Sequence, residues 1–170
     1  MTNETITLIA NLALTLSVIV ALAFGTAQVR SAARDRRERL TLEALRNFQT
    51  REFAEHALYI NSHDLPSNQK EMAALPVNEQ VILFQFSQQM EALGILVAER
   101  LIDIDLVDKT LGSFVTLMWE KYKIMFMDMR ESQPDPYLGE YFQWLAEQIN
   151  KRMLEKPRKP FYERGSRHRK

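Results

Sequence analysis

The chain has 170 residues, no cysteine, and 22 basic against 22 acidic side chains, giving a formal charge of zero at pH 7. Such a balance excludes a uniformly basic nucleic-acid-binding domain, and the missing cysteines exclude a disulfide scaffold while agreeing with a reducing compartment. The charges are segregated: residues 30–55 carry seven basic and five acidic groups, residues 56–150 six and fourteen, and residues 151–170 nine and two. An acidic body between two basic ends reads as a cytosolic domain with membrane-facing ends, with nucleic acid an unfavoured partner.

The first element is the decisive one. Thr5 to Val29 runs for 25 residues without a charge. At ~1.5 Å rise per residue it reaches roughly 37 Å, enough to cross a hydrocarbon core of about 30 Å with some tilt. Its Thr and Ser hydroxyls can return to the helix's own carbonyls. A cleaved signal peptide is the rival reading, but such peptides carry a cationic start and a shorter apolar run, and Met1 to Glu4 has no cation. Arg30, Arg34, Arg36, Arg37 and Arg39 follow at once. Basic residues beside a span stay on the cytoplasmic side, which predicts a single-pass protein of the inner (plasma) membrane, N-terminus out and residues 30–170 cytosolic. Within the span Ala13, Ser17, Ala21 and Gly25 recur every fourth residue. That small-residue groove predicts helix association, with a membrane-protein partner or a second copy.

From Arg30 the pattern continues without Gly or Pro through Leu42, Leu45, Phe53, Ala57 and Ile60, predicting one long cytosolic stalk that stops at Asn61–Pro66. A short helical turn is predicted from Pro66 to about Ala74. Residues 77–101 are apolar almost all round and predict the most buried helix; its glutamines with Glu79, Glu91 and Glu99 argue against a second span. Asp103 or Asp105 caps the next helix, whose core stripe is Leu111, Phe114/Val115, Met118, Tyr122, Met125 and Met129. Asp135-Pro136 pairs an N-cap acceptor with a first-turn proline and predicts a helix to about Glu155 through Tyr137, Tyr141, Leu145 and Ile149. No stretch alternates as strands do. The fold class is all-α: a transmembrane anchor (1–29), a cytosolic bundle of about four helices (30–155) and a basic disordered tail (156–170). If the helices alternate in direction, the fourth returns Lys156, Arg158 and Lys159 to the bilayer, where they join the five arginines on anionic lipid.

Chemistry-bearing patterns are sparse. Glu52 and His56 stand one helical turn apart with His63 seven residues on, which is too few ligands for a metal site. Asp103, Asp105 and Asp108 lack the glycine and terminal glutamate of a calcium loop. The methionines read as gap-filling core. No Gly-rich phosphate loop or Gly-x-Ser-x-Gly is present. Neither catalytic residue nor cofactor is predicted. Glu91, on so apolar a helix, needs a partner if it is buried, and Arg130 is the predicted one.

Taken in order, Arg39-Leu40-Thr41-Leu42, Phe48, Glu52-Phe53, Phe86, Met90-Glu91-Ala92-Leu93-Gly94, Ile102-Asp103, Trp119-Glu120, Arg130 and Tyr141-Phe142-x-x-Leu145 resemble small bacterial membrane-anchored proteins of domain-of-unknown-function family 4760. The likeness covers about residues 5–150. It implies a single-pass membrane protein and brings no activity with it. Two functional classes stand: a non-enzymatic membrane-tethered scaffold, regulator or accessory subunit, which is preferred, and a small membrane-bound enzyme or toxin-like effector built on Glu52, His56 and Glu91.

Overall fold

A computed structural model describes residues 2–132 and 135–164. It is all-helical among those residues: α1 (Asn3–Arg46), α2 (Arg51–Ser62), α3 (Gln69–Ala74), α4 (Val77–Ala98), α5 (Ile104–Ser132), α6 (Glu140–Glu155) and the single turn α7 (Phe161–Arg164). The chain divides into two compact units, Met1–Leu40 and Thr41–Lys170.

The first unit is helical from Asn3, and every side chain from Thr2 to Arg39 is exposed. Its hydroxyls turn inward onto their own helix: Thr15 Oγ1 donates to Asn11 O at 2.8 Å and Ser17 Oγ to Ala13 O at 2.8 Å. These hydroxyls are therefore satisfied within the helix, as exposure to lipid would require. It is long and apolar enough to cross a membrane. Helix α4 also meets that criterion, but Leu83, Phe86, Met90, Leu93 and Val97 bury one side of it within the second unit.

In the second unit the predicted unbroken stalk is corrected. The chain leaves α1 at Arg46, passes through a 3₁₀ turn at Asn47–Gln49, and becomes extended at Thr50 (φ −80°, ψ 152°). Thr50 Oγ1 then accepts the Phe53 N–H at 3.2 Å, so a new helix starts by ordinary N-capping. Phe48 lies edge-on to Phe53 across the break, with ring centres 5.0 Å apart.

The four principal helices α2, α4, α5 and α6 meet around aromatic rings. Phe53 of α2 stacks on Phe86 of α4, Phe86 on Tyr122 of α5, and Tyr122 meets Phe142 of α6, with centres 5.5, 5.8 and 5.9 Å apart. Phe86, Tyr122 and Phe142 are fully buried, and burying each such ring is worth on the order of 2–3 kcal/mol. Of the predicted α5 stripe, Val115, Met118, Tyr122 and Met125 are buried, while Leu111, Phe114 and Met129 are half-buried. The expectation that α4 is the most buried helix does not, because Val77, Val81, Phe84 and Ile95 are exposed along its outer side.

Candidate functional site

The half-buried Glu91 makes the most informative polar contact of the bundle. It sits mid-way along α4, three residues before Gly94, where α4 and α6 touch backbone to backbone. A Cβ on Gly94 would lie 2.6 Å from the Tyr141 carbonyl carbon, so only glycine permits the approach. This brings the Glu91 carboxylate to the start of α6: Oε1 accepts the Tyr141 N–H at 3.2 Å and Oε2 the Phe142 N–H at 2.8 Å. The residue at the N-cap of α6 is Gly139, left-handed at φ 68°, which has no side chain to offer. Glu91 supplies the missing cap from another helix, and its negative charge also favours the positive end of the α6 dipole.

Two expectations are corrected here. Asp135 does not cap α6; its Oδ1 accepts the Tyr137 N–H at 3.0 Å in a turn, and α6 begins only at Glu140. The predicted Glu91–Arg130 pair does not form either. Arg130 Nε donates to Leu138 O at 2.8 Å and Nη1 to Gln143 Oε1 at 2.6 Å. Both residues tie down the α5–α6 junction through backbone and amide groups, while Arg130 Nη2 is buried with no hydrogen-bond partner among the described residues.

Lys121 works the same way at the opposite sign. From α5 its Nζ donates to the carbonyls of Ile60 (2.7 Å), Asn61 (2.9 Å) and His63 (3.2 Å), closing the C-terminus of α2. Beside it Tyr59 donates to Glu79 Oε2 at 2.5 Å. Partial burial and that carboxylate push the Tyr59 hydroxyl up to about 12. Burial likewise raises Tyr122, whose hydroxyl donates to Leu83 O at 3.0 Å. Asp103 is the predicted cap of α5, its Oδ1 accepting the Asp105 N–H at 2.7 Å, while its own N–H donates to the buried Thr41 Oγ1.

The candidates for chemistry are dispersed. Glu52 is exposed on α2, and His56 is buried on the same helix with Nδ1 lacking a hydrogen-bond partner among the described residues. Glu91 is committed to α6. No group of three His, Asp or Glu side chains among the described residues is arranged to hold a metal. Concavities open on the bundle among the described residues. A groove of about 700 Å³ between α5 and α6 has Trp119, Leu117 and Met127 beside Glu120, Lys123 and Glu147. An apolar cavity of about 160 Å³ is lined by Phe84, Met125, Phe126 and Met129, with Glu91 at its edge. A charged cleft of about 290 Å³ lies between the start of α5 and the end of α6. Of Glu52, His56 and Glu91, only Glu91 lines any of them.

The predicted surface residues fall as follows. Ala13, Ser17, Ala21 and Gly25 share one exposed face of α1, with open space where a Gly25 side chain would be. Arg30, Arg34, Arg36, Arg37 and Arg39 are exposed on the same helix, Arg34 pairing with Glu38 at 3.0 Å. Lys156 and Lys159 are exposed, but Arg158 is held by Asp108, with Nε 3.3 Å from Oδ2 and Nη2 2.9 Å from the Asp108 carbonyl. The segment expected to be a free tail is therefore attached to the bundle at Arg158 and turns into α7. The rest of that expectation, residues 165–170, lies outside the described residues.

A family model described as "Domain of unknown function (DUF4760)" matches residues 8–149. The chain belongs to that family. The DUF4760 match takes in the apolar stretch of α1 from Leu8 together with α2 to α5 and α6 as far as Ile149, and stops short of Arg158. No curated protein and no solved structure matches the chain.

Proposed function

We propose that this DUF4760 protein is a membrane-anchored helical module that holds or regulates a partner, as a scaffold or accessory subunit of a membrane complex, without chemistry of its own. The observation that carries this reading is α1: among the described residues every side chain of its long apolar run is exposed, while the second unit has its own aromatic core. An unburied apolar surface of that size in water favours aggregation, whereas in a bilayer it is satisfied. The arginines after Val29 favour a cytosolic bundle and an outward N-terminus.

The fate of the buried and half-buried charges supports the non-enzymatic part. Glu91 and Lys121 each close a helix end through backbone groups, so neither is left free to act as an acid or base. The α5–α6 groove, where Leu117, Trp119 and Met127 stand among polar and charged side chains, offers a surface on which a partner could lie. The small-residue face of α1 offers a second contact inside the membrane, for a different membrane protein or a second copy.

Purification from membranes in mild detergent, followed by mass spectrometry, tests this reading. A stoichiometric membrane-protein partner is expected. Recovery of the chain alone as a monomer would count against the scaffold role.

A further inference from the structure

We propose that the cavity bounded by α3, α4, α5 and the turn before α6 is a binding site for a small uncharged apolar molecule, and that filling it steadies the start of α6. Such a site requires neither the membrane span nor a protein partner, so it goes beyond the reading above. Its volume is about 160 Å³, close to that of an engineered apolar cavity in another protein, about 150 Å³, which stays dry and takes up benzene. Met72, Leu83, Phe84, Met125, Phe126 and Met129 supply its hydrocarbon and thioether wall.

The chemistry of the wall selects the guest. Ser87 Oγ donates to Phe84 O at 2.9 Å, and each Glu91 oxygen accepts an amide of α6. A buried water needs roughly two to four polar partners and would find few here, whereas a hydrocarbon asks for none. The Glu91 charge at the edge repels an anion, which favours a neutral molecule over a carboxylate. The space is also held open. A Cβ on Gly139 would lie 3.0 Å from the Phe126 ring, so that ring is seated directly against backbone. Helix α3 brings Met72 to the wall and is fastened at both ends, by the Gln69 N–H on Asp128 Oδ2 at 3.2 Å and by Gln80 Nε2 on Leu75 O at 2.8 Å. Phe84 is 59 % exposed, which gives the cavity an apolar entrance, and the methionines can adapt to the outline of a guest. The link to α6 is direct. Glu91 and Gly139, which together set where α6 begins, both stand in the wall.

The methionines also report on the site. The full chain, with isotope-labelled methionine methyl groups, is held in phosphatidylcholine nanodiscs and titrated with benzene, or with benzoate as its anionic counterpart, while the methyl resonances are followed by NMR. Saturable shifts are expected at Met72, Met125 and Met129 with benzene and not with benzoate, and none at Met90 and Met118, which are buried elsewhere in the bundle. At a benzene concentration roughly ten times its dissociation constant, hydrogen exchange at Tyr141 and Phe142 is expected to slow about tenfold. Ser87→Phe, which fills the cavity from α4, should abolish the shifts; Ser87→Leu, with less bulk, should weaken them while Met90 and Met118 keep their positions. The absence of saturable shifts in the parent chain would overturn the site, as would equal shifts at Met90 and Met118, an equal response to benzoate, or a response that both Ser87 variants retain. Saturable shifts with unchanged exchange at Tyr141 and Phe142 would overturn the link to α6.

Discussion

The Glu91 carboxylate accepts the backbone N–H of Phe142 at 2.8 Å across 51 residues of sequence, and with the Tyr141 N–H it forms the cap of a helix to which it does not belong. Few contacts in the bundle join packing and polarity so closely. The Gly94 crossing brings α6 near enough for the carboxylate to reach, and the carboxylate in turn fixes where α6 begins.

Replacing Glu91 with alanine should lower stability by about 2 kcal/mol, since hydrogen bonds to a charged group are worth about 1.5–3 kcal/mol and both amides lose their acceptor. Glutamine, which keeps one carbonyl oxygen, should cost roughly half as much. Hydrogen exchange at Tyr141 and Phe142 should quicken in both variants. Unchanged protection at those two amides would refute the cap.

Gly94→Ala should be at least as harmful, although it removes nothing. Its methyl would meet the Tyr141 backbone, which cannot swing aside like a flexible side chain, and overpacking of this kind costs about 1–3 kcal/mol. Loss of exchange protection at Tyr141 and Phe142 should accompany the lowered melting temperature. A variant as stable as the parent would mean that the two helices are not in backbone contact.

Arg100→Gly should stabilise. Helix α4 ends with Leu101 N–H on Leu96 O and Arg100 N–H on Val97 O, and Arg100 itself is left-handed at φ 57°. A side chain there carries a penalty of about 1–2 kcal/mol that glycine avoids, partly offset by glycine's greater unfolded-state entropy. A gain near 1 kcal/mol is expected in denaturant unfolding. A loss would show that the arginine side chain contributes more than its backbone costs.

Alkaline titration should separate Tyr59 from the exposed tyrosines. Its hydroxyl is raised from 10.0 to about 12, so the neutral form is favoured in the folded state. The corresponding stability is fully present below pH 10 and is lost as pH rises through about 12. Tyrosinate absorbance should show a late step that disappears in Tyr59→Phe and moves to lower pH in Glu79→Gln. A Tyr59 that ionises with the exposed tyrosines would contradict the contact.

Much of the architecture is legible in the sequence because it follows from periodicity. The helix predicted over 77–101 is α4, Asp103 caps α5, and the stripe through Val115, Met118, Tyr122 and Met125 is core. Breaks and partners are harder to read. Thr50 ends the stalk with neither Gly nor Pro nearby, because an extended threonine that caps the next helix is sufficient. Asp135-Pro136 carries a strong local start signal, yet α6 waits for Gly139 and a cap from α4. Opposite charges such as Glu91 and Arg130 are visible in a sequence, whereas helix-end amides brought close by a glycine crossing are not. Arg158 looked free for the same reason: composition marks a basic segment without revealing a buried aspartate that faces it.

On the proposed reading α1 is an anchor retained in the membrane. Alkaline carbonate extraction of membranes from cells expressing the chain, with intact-mass analysis of what stays behind, tests it most directly. The chain is expected in the membrane pellet with residues 1–29 still attached. Release into the supernatant, or a product shortened by loss of that segment, would contradict it.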